Sequence, residues 1–382
     1  MFANIISSFG ALWKRQNIDW VLAGSVLPLV VSGLVTMNSF TGESFFFERQ
    51  LVWASLGFFV MFVLSFVDWR FLRRTDVLVT LFSATCVVLF LLFFLGKTVK
   101  GAQSWFDFGF FSFQPSDPAK IMVILILAKY FSRRHIEIAH IRHILVSGFY
   151  AFTLFLLVFL QPDFGSAIII FMIWFGMVLV SGLSKKHVFA VFAVAVVTFS
   201  ALWFYVFEPY QKLRIMNFIH PLADVRGSGY NAHQSTIAVG SGEVLGKGLG
   251  YGTQSRLKFL PEYETDFIFA AFAEEWGFVG VTILFAFFAM VIYRILMNAV
   301  YGATNFETLY ALGLAILFMS HFVIHIGMNI GVLPVTGTTV PFLSYGGSHL
   351  LTEFLGLGIL MGMRRYNRAT HREMVKNEIV GI

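Results

Sequence analysis

Runs of about 17 to 25 mostly apolar residues recur from one end of the chain to the other, separated by short charged or Gly- and Pro-containing breaks. Coiled as an α-helix, a run of that length matches the hydrocarbon thickness of a bilayer, where each backbone N–H and C=O must be paired within its own segment. A transmembrane β-barrel would instead alternate apolar and polar residues over strands of about 10, and this sequence does not. Of 382 residues 58% are hydrophobic, 47 are Phe and 13% are charged, with a mean hydropathy of +0.78. An ordinary soluble domain is about 25% charged, so a soluble globular enzyme is excluded. Cys86, the one cysteine, sits in an apolar run, cannot close an intramolecular disulfide and indicates no redox or Cys-based metal site.

The expected fold is therefore an all-α polytopic membrane protein. About ten spans are predicted, near 18–40, 50–67, 76–95, 117–132, 142–160, 165–182, 187–207, 267–296, 305–330 and 347–363. The first follows Lys14 and Arg15 as a signal peptide would, but its apolar stretch is longer than usual and lacks a small-residue cleavage site, so it is read as retained. Most of the 27 basic residues fall at one set of span ends, among them Arg70, Arg73, Arg74, Arg133, Arg134, Lys185, Lys186, Arg364 and Arg365. By the positive-inside rule those ends, and both termini, face the cytoplasm. The chain then reads as one membrane domain over 1–382, with short cytoplasmic tails at 1–17 and 364–382 and a long outward loop at about 208–266. The net charge of +6 is what orientation and an anionic inner leaflet favour, and it calls for membrane lipids rather than a nucleic-acid partner.

Polar chemistry concentrates on the outward side. The long loop is too long for a plain connector and carries a glycine-dense stretch, "GSGYNAHQSTIAVGSGEVLGKGLGYG", that lets backbone approach a ligand or another helix closely. Asp117, Asp163 and Asp266 each open a hydrophobic segment, and Glu274 follows in the span that Asp266 begins. For Asp117 and Asp163, capping of the helix N-terminus is the plainer reading. Asp266 closes a polar loop ahead of "FIFAAFAEEWGFVG", and intramembrane carboxylates point to function. On a helix running from 266, Glu274 would lie about 80° around and roughly 12 Å along from Asp266, nearer than Glu275 in angle but too far to form a bonded pair. That favours one principal outward carboxylate over a glycosidase-like acid and base pair, whose carboxyls lie within about 10 Å.

His321, His325 and Asn329 share one helical face. The absence of HEXXH and of a nearby third ligand favours a satisfied polar stripe over zinc, with Glu353 as its partner. Lys120, three residues after Asp117, either neutralises that carboxylate or holds an anionic headgroup. The outward segments "KGAQSWFDFGFFSFQPSD" and "PVTGTTVPFLSYGGSHL" break the hydrophobic pattern. Polar non-helical backbone survives at membrane depth only inside protein or along a cavity, so an outward-facing cavity floored by helices is expected.

"FQPSDPAK", "QPDFGSA", "LRIMNFIHPLADVRGSGYNAHQS", "LPEYETDFIFAAFAEEWGFVG" and "PVTGTTVPFLSYGGS" occur in order and spacing over nearly the whole chain. In this the sequence resembles the SEDS family (shape, elongation, division and sporulation), and its "GTQSRLKFLPE" and short cytoplasmic ends look more like the RodA branch than the FtsW branch. The resemblance implies a ten-span glycosyltransferase of the bacterial cytoplasmic membrane. Such an enzyme polymerises lipid II into peptidoglycan strands at the outer face, in cell elongation and rod shape or in division. It also implies a class B penicillin-binding protein as crosslinking partner, alongside other elongation or division machinery. Asp266 matches the family's essential extracytoplasmic aspartate, Asp163 the acid of "QPD", Lys120 the lysine after "QPS", Trp105 the tryptophan after "GA", and Gln234 and Ser235 the "QS" pair. The sequence departs from the common pattern at Asp117, where Glu is usual, and at Ser104, where Arg is frequent.

Polymerisation from a lipid-linked donor needs a base for the acceptor hydroxyl and positive charge or hydrogen-bond donors for the departing diphosphate. Asp266 is the candidate base, while Lys120, Arg214 and a divalent cation, Mg²⁺ or Mn²⁺, are candidates for the leaving group. Metal binding by Asp266 is the competing role for that residue. Two other classes compete: a flippase for lipid-linked precursors, and a non-catalytic scaffold for the penicillin-binding protein. An alternating-access carrier tends to place its site at mid-membrane, whereas the polar residues here gather on one side.

Overall fold

The computed structural model describes residues 18–39, 44–99, 102–109, 111–133, 141–182, 209–220, 229–257 and 259–380, with single positions between 189 and 207. The segment predicted at 187–207 lies largely outside the described residues. Each of the other nine predicted segments coincides with a helix: α1 (Trp20–Ser39), α2 (Ser44–Ser65), α3 (Thr75–Leu95), α4 (Ser116–Ser132), α5 (Ile141–Phe159), α6 (Phe164–Val180), α10 (Ile268–Val300), α11 (Asn305–Asn329) and α12 (Gly347–Val380). Six of these are long and apolar enough to cross a membrane, and α6 is a shorter apolar helix. Two ends differ from expectation: α2 begins earlier, at Ser44, and α12 continues as helix to Val380 through the segment read as a tail.

The predicted loop at 208–266 has helices of its own, α7 (Pro209–Ile219), α8 (Tyr230–Ser241) and α9 (Thr253–Arg256). The segment after α3, expected to face outward, folds as three short antiparallel strands, β1 (Lys97–Val99), β2 (Ala102–Asp107) and β3 (Ser112–Phe113), with Lys97 opposite Trp105 and Phe106 opposite Phe113.

Central helices α4 and α11 are buried nearly all round, whereas α2 and α3 leave Phe59, Phe90 and Phe94 on the outside, as lipid-facing helices do. At the basic end a buried ion cluster ties three helices together. Asp19 accepts from Arg294 at 2.8 and 2.7 Å and from Asn298 at 3.2 Å, and Arg364 of α12 lies 2.7 Å away. Burial pushes the Asp19 carboxyl up, but the Arg294 hydrogen bonds, the Arg364 charge and the Leu22 N–H together hold it below the ordinary carboxylate value.

Helix α10 is broken. Gly277 sits at φ 63°, ψ −168°, a region essentially reserved for glycine. The glycine-dense loop supplies the hydrogen bonds the break removes. Lys247 and Gly248 N–H donate to the carbonyls of Glu274 and Glu275 at 2.9 and 3.0 Å, and Phe278 and Val279 N–H donate to those of Glu243 and Val244 at 3.0 and 3.1 Å. A Cβ on Gly246 would lie 2.1 Å from the Glu275 carbonyl oxygen, so only glycine fits. The glycines serve the approach of loop to helix, one of the two uses expected for them.

Candidate active site

The first turns of α4, α6, α10 and α12 open at one end of the bundle, the end opposite the Asp19 cluster. There a cavity of about 470 Å³ lies between them, β2, α7 and the non-helical segment 334–346. Asp266, Asp117, Lys120, Asp163, Trp105 and Arg214 all line it. The two similar motifs, "QPSD" and "QPDFG", meet across it. Asp163 caps α6 through Oδ1, which accepts the Ser166 N–H at 3.0 Å, while its Oδ2 accepts from Gln114 Nε2 at 2.8 Å and Ser116 Oγ at 3.3 Å. The cap reading and the cavity reading of Asp163 thus both describe its position.

Asp117 is not a cap. Buried at 2% exposure in the first turn of α4, it accepts from Lys120 Nζ at 2.9 Å, and Lys120 is itself only 3% exposed. Of the two readings for Lys120, neutralising this carboxylate is the contact observed, with the ammonium also on the cavity wall.

Asp266 occupies the turn before α10, whose N-cap is Phe267. The helical-wheel relation to Glu274 therefore does not apply, because the helix starts after Asp266. Its main chain is fixed instead. The Asp266 carbonyl accepts from Asn329 Nδ2 at 3.0 Å, and Asn329 Oδ1 accepts the Ala270 N–H at 3.1 Å, satisfying a first-turn donor of α10. Across the cavity a Cβ on Gly337, at φ 73°, would stand 3.7 Å from Asp266 Oδ2.

Residues 12–369 match the family of cell cycle proteins that groups FtsW, RodA and SpoVE, the SEDS family. The chain belongs to this family. It is similar to the peptidoglycan glycosyltransferase MrdB of Escherichia coli K12, 34% identical over 96% of this chain and 97% of that one. It is also similar to stage V sporulation protein E of Bacillus subtilis, 34% identical over 93% and 99% of the two chains. Among solved structures it resembles a chain of a peptidoglycan synthase complex described as coordinating polymerization and crosslinking, with a TM-score of 0.78, 30% identity and coverage of 91% and 98%. It resembles Thermus thermophilus RodA as well, with a TM-score of 0.68, 28% identity and coverage of 91% and 96%.

Three of the residues singled out from the sequence, Gln234 and Ser235 by the SEDS resemblance and Glu274 by its place in an apolar span, do not line the cavity. Ser235 is buried on α8 and donates to the Asn329 carbonyl at 2.8 Å, with Asn329 Oδ1 at 3.4 Å, so it stands one residue behind the Asp266 support; Gln234 is its neighbour. Glu274, expected roughly 12 Å along the helix from Asp266, faces the loop. Its carboxylate accepts from Lys247 Nζ at 2.7 Å, Thr253 Oγ1 at 3.0 Å and the Gln254 N–H at 3.1 Å. Glu275 likewise accepts from Ser39 Oγ at 2.6 Å and the Gly250 N–H at 3.0 Å. Both glutamates are loop anchors, because the break at Gly277 brings the loop within reach of their side chains.

The histidine stripe is satisfied by backbone on one side only: His321 and His325 Nδ1 lie 3.1 and 2.8 Å from the carbonyls of Thr339 and Thr338, while both Nε2 atoms are buried without a hydrogen-bond partner among the described residues. Glu353 is not its partner, since it pairs with His349 at 2.9 Å. His349 lines the cavity and had no place among the sequence candidates. Its i,i+4 spacing to Glu353 was the signal available.

Among the described residues no three His, Cys, Asp or Glu side chains converge as a metal cage. The donor set at Asp266 fits a divalent cation only where substrate oxygens complete its shell, the manner in which Mg²⁺ is usually held.

Proposed function

We propose that this chain is a peptidoglycan glycosyltransferase that polymerises lipid II at the outer face of the bacterial cytoplasmic membrane. Its ten spans would place both termini in the cytoplasm, and it would act in cell elongation. The observation that carries the reading is the single cavity that gathers a carboxylate on a backbone-anchored turn, a buried lysine and a second basic side chain, in a chain 34% identical to a peptidoglycan glycosyltransferase.

Asp266 acts as general base. It takes the proton of the acceptor's 4-hydroxyl as that oxygen bonds to the donor's anomeric carbon. The bond from that carbon to the diphosphate breaks with inversion, and undecaprenyl diphosphate leaves. Lys120 from the cavity wall and Arg214 from α7 offset the charge that develops on the diphosphate, and Trp105 offers a face for sugar packing. A Mg²⁺ or Mn²⁺ ion would supply Lewis acidity toward the diphosphate; Asp266 is the residue that would hold it, and in that case metal binding would replace its role as base. A class B penicillin-binding protein would crosslink the strands; Ser116 lacks the S-x-x-K spacing of such a transpeptidase, since Lys120 is four residues on.

The test is gel detection of glycan strands from labelled lipid II with the purified chain, its cognate penicillin-binding partner and Mg²⁺ or Mn²⁺, comparing wild type with Asp266→Asn. Strands from wild type alone, with the variant folded and partner-bound, support catalysis through Asp266. Equal strands from both reject that role. No strands from a folded wild-type complex bring forward the flippase or scaffold readings.

A further inference from the structure

Four charged side chains on the cavity side of α4 and α12 form a connected set larger than glycosyl transfer calls for. Asp117 Oδ1 is shared: Lys120 Nζ lies 2.9 Å from it and His349 Nδ1 3.4 Å from it. The other ring nitrogen, His349 Nε2, is 2.9 Å from Glu353 Oε1. Glu353 is fixed in turn, because its Oε2 accepts the N–H of Phe342, a residue held at φ 62°. His321 of α11 lies against the His349 ring, with centroids 4.7 Å apart. The titratable groups facing His349 are therefore Asp117 and Lys120 from α4, His321 from α11 and Glu353 on its own helix. Arg49 of α2, Asp163 and Asp266 line the same cavity.

Both ring nitrogens of His349 face carboxylate oxygens. The contact to Glu353 lacks hydrogen-bond alignment, so the pairing is one of charge: a neutral imidazole offers the two carboxylates no net attraction, whereas an imidazolium attracts both. Charge balance points the same way. Asp117 and Glu353 are 2% exposed and Lys120 3%, so with a neutral His349 the set would carry one unbalanced negative charge out of water. That charge would sit on the wall of a cavity meant for an anionic diphosphate.

We infer that His349, held as a cation between Asp117 and Glu353, is a positioning residue of the diphosphate subsite. It takes up part of the Asp117 charge, so that the remaining protons of Lys120 Nζ can turn to a phosphate oxygen. An ammonium has three donors, and Asp117 is the one acceptor of Lys120 among the described residues. The identity of the ligand rests on the glycosyltransferase reading above. Loss of the His349 proton as pH rises returns Asp117 to Lys120 alone and leaves the wall negative, so diphosphate affinity falls with rising pH.

The experiment measures the Kd of the full-length protein in nanodiscs for radiolabelled undecaprenyl diphosphate, from pH 6 to 10 at fixed ionic strength, for wild type and His349→Gln. The ratio of variant to wild-type Kd cancels the lipid's own ionisation. It should be about ten at pH 6, one charge interaction's worth, and approach one at pH 10. A ratio that does not change with pH overturns the inference, as does a wild type that fails to bind the lipid. Should His349→Gln not fold, Glu353→Gln replaces it. Removing one of the two carboxylates should move the fall in affinity about one pH unit lower, and an unmoved profile overturns the inference. The strand-forming assay runs in parallel. Strands with a flat ratio refute the role of His349 alone, while no strands from the wild-type complex refute the glycosyltransferase reading whatever the lipid binding shows.

Discussion

Asn329→Ala tests how the Asp266 turn is held. Asn329 is fully buried, and its amide makes three connections to backbone: Nδ2 to the Asp266 carbonyl at 3.0 Å, Nδ2 to the His325 carbonyl at 2.8 Å, and Oδ1 from the Ala270 N–H at 3.1 Å. Truncation deletes all three and leaves a first-turn N–H of α10 and the Asp266 carbonyl without this partner. At about 1 kcal/mol per net hydrogen bond, with more for a buried group left unsatisfied, the loss is about 3 kcal/mol, concentrated on one turn. A turn loosened by that amount no longer fixes its carboxylate, and misplacement of a reacting group by about 1 Å costs on the order of 100-fold in rate.

The expected result is a fall of on the order of 100-fold in the initial rate of strand formation, with a lowered melting temperature in detergent but a folded chain at assay temperature. Ser235→Ala removes only the bonds to Asn329 from behind, at 2.8 and 3.4 Å, so its effect should stay below about tenfold. An Asn329→Ala enzyme within about twofold of wild type would falsify the claim that this amide positions Asp266. Equal losses in the two variants would sink the proposed order, in which Asn329 touches the turn and Ser235 only backs it.

Glu274→Ala should cost about 2–4 kcal/mol, because a fully buried carboxylate with three kinds of donor is lost, and should make residues 243–257 newly sensitive to limited proteolysis; an unchanged digest would show that the loop is held by other means. Gly277→Ala places a side chain at φ 63° and its Cβ 2.2 Å from the Gly246 nitrogen, so melting should drop by several degrees or folding fail, and a wild-type melting curve would contradict the broken helix. For Asp19 the folded carboxyl lies below its ordinary value, so its contribution is present above about pH 4 and lost as pH falls through the folded value. Asp19→Asn should therefore lower stability at pH 7 by about 2–3 kcal/mol, discounted because Arg294 and Arg364 are each about a fifth exposed, and the gap to wild type should close in acid; a gap that persists in acid would rule out this ionic account.

Spans and their polar ends were legible because lipid leaves the backbone so few options: an apolar run of sufficient length has to be a helix. Hence α1, α3, α4 and α6 lie close to their expected bounds. The cavity was legible too, since segments rich in Gly, Pro, Ser and Thr but lacking a helical pattern stand out against so apolar a background. The partners of each carboxylate were not. Glu274 and Asp266 are eight residues apart, yet one serves the loop and the other the cavity, a division made by where α10 starts and by the break at Gly277. Neither is encoded in a local propensity: Phe267 is no signature cap, and a glycine inside an apolar run reads equally well as helix packing. His349 was missed for a related reason. Its place depends on Asp117, which lies on a different helix and far away in sequence.

These anchors together explain why so much buried polarity surrounds a single short piece of helix. Residues 268–276 form a half-helix that cannot draw stiffness from the rest of α10, because Gly277 interrupts the hydrogen-bond ladder. The front is tied by Asn329 to the Asp266 carbonyl and the Ala270 N–H. The back is tied twice, through the side chains of Glu274 and Glu275 and through their carbonyls to Lys247 and Gly248. In lipid a broken helix is tolerated only when its freed backbone groups are re-paired, and the glycine-dense loop provides that pairing. The arrangement makes the loop part of the mount for Asp266 even though it supplies no carboxylate to the cavity. Loop and turn should therefore fail together: changes at Glu274 should slow strand formation more than their loss of global stability alone predicts, whereas Asp19→Asn, of comparable cost at the opposite end of the bundle, should leave the rate of the folded fraction near wild type. The reverse ranking would show that the half-helix is not the element through which the loop acts.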